Sequence, residues 1–325
     1  MRSSLALILF VAACGDNLAA NTQQPQPDAK QQQTIDAKPI DAPPMAVAVA
    51  LTGGANDLWW DAASNTLFYT DDNANTFNKW TDEGGTAVLG ALPPYAASGP
   101  NPGGLWRNAD GSFYSVNFGN GAAGGNFEVI TAAYTSASYT GLDLLQKYLD
   151  VEVSPDGNTV YVAGFSGTSM NPIGEVYKIN TTDIDTTAHT VIATPFIGFA
   201  ADATQALKKE VGMVVTADSI YLSNQTDHVI EKWDIATKTK TGNFATGLDK
   251  GDFLLELPDG TFLTGGAAKI NHIAADGTVT VIDTAGASLT TIHGLAYDNV
   301  KHRLFAIDHQ SSNAPDTLHI IPYTP

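Results

Sequence analysis

Short runs of β-branched and aromatic residues, separated by turn residues, recur along most of the chain. The clearest set has six members, and its third position is Phe, Tyr or Leu in each of them. Runs of this composition, bounded by turn residues, are typical of β-strands. The six members span 66–71, 112–117, 159–164, 219–224, 261–266 and 303–308.

Each of these runs has companion strands on both sides. Strands ahead of the runs are predicted to begin at Asn56, Gly103, Leu149, Val211, Asp252 and His293. Strands after the runs are predicted over 76–81, 126–131, 175–180, 229–234, 269–274 and 317–322, with a weaker fourth strand in five cases. Turn signals such as Pro-Asp-Gly at 155–157 and 258–260 separate the first strand from the second.

Sets of four strands that recur at intervals of about 40–60 residues indicate the blades of a β-propeller. The last set has no fourth strand, whereas an unassigned apolar run at 45–52 precedes the first set. We therefore predict an all-β, six-bladed β-propeller over 45–325, with four antiparallel strands per blade and a ring closed by an N-terminal strand. Short helices are predicted only at 142–148 and 202–210, both in connections.

The beginning of the chain has the pattern of an export signal. Arg2 precedes an apolar stretch that ends at Val11-Ala12-Ala13-Cys14, and Cys14 is the single cysteine. This stretch is too short to span a bilayer. Its end resembles the lipobox of bacterial lipoproteins, which implies a signal peptide over 1–13 and acylation of Cys14. The alternative is an ordinary signal peptide that contains a cysteine by chance.

A flexible linker is expected between the acylated Cys14 and the propeller. Residues 14–44 are rich in Gln, Pro, Asp and Ala, and such segments bury too little apolar surface to offset their ordering entropy. The net charge of −18 disfavours nucleic acid and anionic lipid surfaces. We expect a monomer in the bacterial cell envelope, with the outer membrane favoured over the inner. No nucleic-acid partner is expected, and the lipid anchor is expected to be its membrane contact.

The blade pattern has a Gly-apolar-x-apolar-Asp first strand, an Asp-Gly turn and a Tyr-containing second strand. It resembles the gluconolactonase-like (regucalcin-type) six-bladed propellers, and also NHL-type propellers, over about 45–325. The resemblance implies a divalent metal such as calcium over the channel, held by Glu, Asn and Asp at the starts of first strands, with the Asp as general base. In this chain those places hold Asn56, Val211 and Asp252, so one of the three is kept.

A site is expected at the channel mouth, because the long connections lie on that face and function concentrates in such loops. The candidate metal ligands are Asn56 and Asp252, and the candidate catalytic residues are Asp252 and His293. A carboxylate and an imidazole on adjacent first strands could bind a transition metal or transfer a proton, or they could hydrogen-bond to each other. The candidate ligand-binding residues of the mouth are Asn56, Asp57, Asp150, Glu210, Asp252 and His293.

These patterns favour a lipid-anchored propeller that binds a ligand or protein partner through its loop-rich face and catalyses no reaction. The partner is left open among a small molecule, a carbohydrate and a protein, and the cofactor is left open between none and calcium or another divalent metal. The alternative is a hydrolase of the gluconolactonase or lactonase type, dependent on calcium or another divalent metal, with Asp252 as base. Phe118 and Phe165 lie in or beside the long loops, where they could stack on a ligand or pack the loops down.

Overall fold

The computed structural model describes residues 45–51, 53–71, 74–92, 102–118, 125–142, 147–168, 171–198, 206–309 and 315–325. Within these ranges the strands form six antiparallel sheets of four strands each. The predicted all-β propeller with six four-stranded blades is confirmed. The predicted signal peptide, Cys14 and the linker lie outside the described residues.

The strands follow one another blade by blade along the chain. The first strand is β1 (Val47–Ala50). Blade 1 contains β2 (Ala55–Asp61), β3 (Thr66–Asp71), β4 (Thr76–Thr81) and β5 (Gly85–Ala91). Blade 2 contains β6 (Pro102–Arg107), β7 (Phe113–Asn117), β8 (Asn126–Ile130) and β9 (Ser136–Tyr139). Blade 3 contains β10 (Lys147–Val153), β11 (Thr159–Thr168), β12 (Asn171–Asp185) and β13 (Thr190–Ile197).

The remaining three blades complete the ring. Blade 4 contains β14 (Glu210–Val215), β15 (Ser219–Asn224), β16 (Val229–Asp234) and β17 (Thr239–Thr246). Blade 5 contains β18 (Leu254–Glu256), β19 (Phe262–Gly265), β20 (Ile270–Ile273) and β21 (Val279–Val281). Blade 6 contains β22 (Ile292–Asp298), β23 (Arg303–Asp308) and β24 (Thr317–Pro322), with β1 as its fourth strand.

The two ends of the propeller hold each other in blade 6. β1 pairs antiparallel with β24, with Val47 opposite Ile320 and Ala50 opposite Thr317. The predicted ring closure by an N-terminal strand is therefore confirmed. The Asp316 carboxylate reinforces this seam, because it accepts a hydrogen bond of 2.8 Å from the N–H of Ala55 at the start of blade 1.

The hydrophobic core lies between adjacent blades. The first strands β2, β6, β10, β14, β18 and β22 contact one another in that order around a central channel, and β22 returns to β2. Apolar side chains fill the space between neighbouring sheets, as where Leu67 and Trp80 of blade 1 pack with Phe305 of blade 6. Burial of apolar surface, worth about 25 cal/mol per Å², is the main stabilising term in such a core. The packed ring holds the starts of the first strands in fixed positions.

The predicted short helices at 142–148 and 202–210 are wrong where the structure describes them. Lys147 and Tyr148 begin β10, and Lys147 lies opposite Phe165 of β11. Leu207 forms an isolated bridge with Gly174, and Glu210 begins β14. Pairing with the long hairpin of β11 and β12 outweighs the local helix propensity of these segments. In the described part of the chain, no helix has the length and hydropathy needed to cross a membrane.

Candidate functional site

A cavity of about 180 Å³ opens at the mouth of the central channel. The starts of all six first strands contribute to its wall, together with residues from the connections that precede or follow them. Its lining residues are Asn56, Pro102, Gly103, Phe118, Leu149, Lys209, Val211, Gln225, Lys250, Asp252, Phe253 and His293. Three of the candidate residues, Asn56, Asp252 and His293, therefore lie together.

Two of these side chains, those of Asn56 and His293, lie at β-bulges. The register of β2 against β3 shifts between Ala55 and Leu58, so that Asn56 lies in an irregular step of the strand. The same kind of shift occurs in blade 6 between Ile292 and Leu295, around His293. A bulge bends a strand and redirects a side chain, and bulges are common beside functional sites.

Asp252 has three polar neighbours in the cavity. The residue is 4% exposed, and Oδ2 lies 2.9 Å from Lys250 Nζ. Gln225 Nε2 donates to the same oxygen at 3.4 Å. His293 Nε2 lies 3.8 Å from this oxygen, beyond hydrogen-bond distance. The first partner of the Asp252 carboxylate is thus a lysine, and the imidazole is a more distant neighbour.

His293 is held by a second histidine. The rings of His293 and His309 stack with centroids 4.7 Å apart and an interplanar angle of 10°. His309 Nδ1 in turn lies 3.1 Å from the carboxylate of Asp316, which is fully buried at the ring seam. Burial lowers the pKa of His293, which keeps its imidazole neutral near pH 7. His293 therefore offers the cavity a neutral ring that can donate or accept a hydrogen bond.

Three lysine side chains lie in or beside the cavity, and none of them is among the site residues predicted from the sequence. Lys209 Nζ donates to Gln225 Oε1 and lies 5.8 Å from the centre of the Phe165 ring. Lys147 Nζ lies 5.4 Å from the centre of the Phe118 ring and 5.3 Å from that of Phe165. The two aromatic rings therefore pack against ammonium groups at the edge of the mouth, in cation–π geometry.

A positional signal for two of these lysines is present in the sequence. Lys209 and Lys250 each stand two residues ahead of a first-strand start, at Val211 and Asp252. Side chains two apart on an extended chain point to the same side, so both lysines share the direction of residues already assigned to the mouth.

The donor atoms of the cavity fit a calcium ion poorly. Asn56 Nδ2 donates to the carbonyl of Pro102 at 2.6 Å, and Val211 has no ligand atom. Among the described residues of the lining, Asp252 is the one carboxylate, and it is paired with Lys250. Calcium requires six to eight oxygen ligands with compensating negative charge. Across the described ranges, no group of three or more His, Cys, Asp or Glu residues is arranged to hold a metal ion.

Asp57 and Asp150 are buried and do not line the cavity, and their carboxylates link neighbouring blades. Asp57 Oδ2 accepts a hydrogen bond of 2.8 Å from the N–H of Leu105 in blade 2. Asp150 Oδ2 accepts one of 2.6 Å from the N–H of Met213 in blade 4. Burial raises the pKa of Asp57 to about 7, and burial together with the Asp57 charge raises that of Asp150 well above its ordinary value.

Around the ring of first strands, at the level of Asp57 and Asp150, a glycine on one strand packs against a larger residue on the next strand. A Cβ added to Gly104 would lie 2.3 Å from Asp150 Oδ1, and a Cβ added to Gly294 would lie 2.9 Å from Asp57 Cα. A Cβ added to Gly212 would lie 2.7 Å from Phe253 Cα. Blades 1, 3 and 5 therefore carry a large residue here, and blades 2, 4 and 6 carry glycine.

Glu210 lies inside blade 4 and does not line the cavity. Its side chain is fully buried, and Oε1 accepts a hydrogen bond of 3.1 Å from the N–H of Lys208. Burial, and secondarily the charge of Glu231, raise the pKa of Glu210 well above its ordinary value. The acid therefore belongs to the interior of the blade.

The comparisons with known proteins concern the fold. No protein-family model matches the sequence, and no curated protein matches it. Several solved structures are similar. A gluconolactonase from Xanthomonas campestris is 14% identical, with a TM-score of 0.60 over 85% of this chain and 90% of that chain. The calcium-binding protein regucalcin from Agrobacterium tumefaciens is 12% identical, with a TM-score of 0.58 over 85% of this chain and 93% of that chain.

A third similar structure is virginiamycin B lyase from Staphylococcus aureus. It is 12% identical, with a TM-score of 0.53 over 85% of this chain and 99% of that chain. At such identities the likeness concerns the fold alone. The chain thus shares its six-bladed propeller fold with the gluconolactonase- and regucalcin-like proteins.

Proposed function

We propose that the propeller binds a small organic molecule in the channel-mouth cavity without the help of a divalent metal. The observation that carries this proposal is the 2.9 Å contact between Lys250 Nζ and Asp252 Oδ2. The ammonium neutralises the carboxylate that a metal would otherwise need. With the neutral imidazole of His293 and the amide of Gln225, this pair supplies a few polar groups in a partly apolar concavity, as is typical of small-molecule sites.

The proposed cellular setting follows from the beginning of the chain. A lipid on Cys14 would tether the binding domain to the bacterial cell envelope, at the outer membrane rather than the inner. The linker at 14–44 would let the loop-rich face meet its ligand away from the membrane surface. We propose that the domain works as a monomer and has no nucleic-acid partner.

A metal-dependent hydrolase of the gluconolactonase type, with Asp252 as general base, is the second candidate. The fold similarity to a gluconolactonase and to a calcium-binding regucalcin favours it. Asp252 also holds the start of a first strand, where such a base is expected. A metal would, however, have to displace Lys250 from this carboxylate and leave the ammonium unpaired in the cavity, which is costly. We therefore rank binding above hydrolysis.

Calcium titration of EDTA-treated protein decides between the two candidates. We expect no calcium-linked rise in melting temperature at millimolar calcium, where a site of tens-of-micromolar affinity would stabilise the fold by about 2–3 kcal/mol. We also expect lactone and ester hydrolysis at the background rate, in the wild type and in Asp252→Asn alike. Calcium stabilisation together with lactonase activity that Asp252→Asn abolishes would establish the second candidate instead.

Binding itself is testable with a fragment screen by ligand-detected NMR on the metal-free protein. Leu149→Trp adds a large ring to the cavity wall, and Val88→Trp makes the equivalent change at a position on β5 that is 63% exposed. We expect cavity-binding fragments to be lost with Leu149→Trp and retained with Val88→Trp. A screen without hits, or hits that both variants retain, contradicts the proposal.

A further inference from the structure

Resting on the proposed binding function, we infer that the ligand is a small organic acid with an apolar or aromatic body. Its carboxylate binds beside Lys209 and Lys250, and its body packs against the apolar residues of the same lining. This inference goes beyond binding as such, because it names the chemical class of the ligand.

The charges around the cavity favour an anion. The whole chain carries a net charge of −18, yet among the described residues the cavity lining carries the ammonium groups of Lys209 and Lys250 against the carboxylate of Asp252, and Lys147 lies over the Phe118 ring of the lining. Lys250 is paired with that carboxylate. The mouth is therefore a local positive region on an acidic protein, and it attracts small anions.

The ammonium group of Lys209 is the one that a bound carboxylate would pair with. The partners that the structure describes for its Nζ are the neutral amide of Gln225 and the face of Phe165. Burial lowers the pKa of Lys209, which means that its charged form lacks full compensation. A charge-assisted hydrogen bond to a ligand carboxylate supplies that compensation and is among the stronger polar contacts.

Much of the rest of the lining is apolar. This part is formed by residues of blades 2 to 5 that have no polar side-chain atom: Pro102, Phe118, Leu149, Val211 and Phe253. An apolar cavity of about 150 Å³ accommodates a benzene ring. The cavity of about 180 Å³ therefore accepts one ring, or an aliphatic chain of similar size, together with a short acid group.

A lining that combines ammonium groups with apolar side chains argues against other ligand classes. A free sugar presents hydroxyls on all sides, and those against Leu149 and Val211 would be buried without partners, which is costly. An inorganic anion would leave the apolar residues in contact with water. A cationic ligand would be repelled by Lys209. An acid with an apolar body satisfies the ammonium groups and the apolar residues at once.

Three probes of graded chemistry test the inference on the EDTA-treated, full-length protein. Phenylacetate has both parts, phenylacetamide replaces the charged group by a neutral one, and acetate lacks the ring. We expect phenylacetate to bind at least about tenfold more tightly than either of the others in an NMR titration, as loss of a charge-assisted hydrogen bond or of a buried ring predicts.

Lys209→Met removes the ammonium and keeps an unbranched side chain that is one heavy atom shorter. It is expected to lower phenylacetate affinity about tenfold and to abolish the preference for the acid over the amide. Lys79→Met on β4, outside the cavity lining, is the matched control and is expected to change neither. Lys209→Gln gives the same comparison if the methionine variant is unstable.

The outcomes separate the inference from the proposed function. Equal affinity for phenylacetate and phenylacetamide overturns the inference, as does acetate binding as tightly as phenylacetate. Fragment hits that Leu149→Trp abolishes, none of which is an acid, overturn the inference and leave the binding function standing. Absence of any cavity-binding fragment overturns the proposed function and the inference with it.

Discussion

The Asp57 carboxylate of blade 1 accepts a hydrogen bond of 2.8 Å from the backbone N–H of Leu105 in blade 2. Its other oxygen accepts a hydrogen bond of 2.8 Å from the N–H of Leu58 in its own strand. One buried acid therefore joins two neighbouring inner strands. Asp150 repeats the arrangement between blades 3 and 4.

This link predicts a pH dependence of stability. Burial raises the pKa of Asp57 from 3.8 to about 7. A group whose pKa is raised in the folded state contributes stability that is fully present below its unfolded pKa and is lost as the pH rises through the folded value. The contribution of Asp57 should therefore fall between about pH 4 and pH 7.

Asp57→Asn tests this direction. The amide cannot accept two N–H hydrogen bonds in the same way, so at pH 5 we expect a loss of about 1 kcal/mol in the free energy of unfolding. The wild type loses stability as Asp57 ionises, whereas asparagine does not ionise. The difference in the free energy of unfolding between the two proteins should therefore be smaller at pH 8. Urea unfolding at both pH values measures it. A gap that widens toward pH 8 would show that the carboxylate is stabilised in its ionised form.

Ring closure predicts that the N-terminal strand is indispensable. Deleting residues 45–51 removes β1 and leaves β24 as an unpaired edge, so we expect insoluble protein or a large fall in melting temperature. Deleting residues 16–40 is the control and should leave the melting temperature unchanged. Two truncations that melt like the parent would be incompatible with closure through β1.

Close packing of the inner ring predicts that Gly104 tolerates no side chain. In Gly104→Ala, the new Cβ would lie 2.3 Å from Asp150 Oδ1 and 2.7 Å from Asp150 Cα, and a backbone atom cannot easily move away. We expect a loss of about 1–3 kcal/mol in thermal or urea unfolding. Gly84→Ala meets one side-chain oxygen, that of Thr81, and should cost less. Equal stability of the two variants would contradict the tight ring.

The proposed anchor predicts the effect of Cys14→Ala. Because acylation needs the cysteine, we expect the wild type in the membrane fraction and the variant in the soluble periplasmic fraction. Intact-mass measurement of the membrane-extracted wild type should show an acylated N-terminus at Cys14. Wild-type protein that is soluble and unmodified would contradict the lipoprotein interpretation.

Much of the fold was predictable because each blade is encoded locally. The runs at 66–71, 219–224 and 303–308 agree with β3, β15 and β23, since strand pattern and turn signals recur in every repeat. The lining of the cavity by the six first-strand starts follows from the same repetition. Repetition also explains why the fold was easier to predict than the site.

The cavity chemistry was less predictable because it depends on connections that differ between blades. Lys250 contacts Asp252 because the connection between blades 4 and 5 brings its side chain back toward the carboxylate. Lys147 contacts Phe165 because the two residues pair across β10 and β11. The segments at 142–148 and 202–210 carry helix-compatible residues, whereas their described parts are fixed by strand pairing. Local pattern cannot reveal partners that are distant in sequence.

The alternation of large and small residues around the inner ring limits how many blades this design allows. Asp57, Asp150 and Phe253 stand in blades 1, 3 and 5, and each is packed beside a glycine of the preceding blade in the ring. An odd number of blades would bring two large residues, or two glycines, side by side and create either a clash or a gap. At this level the repeating unit of the structure is a pair of blades, and the ring contains three such pairs.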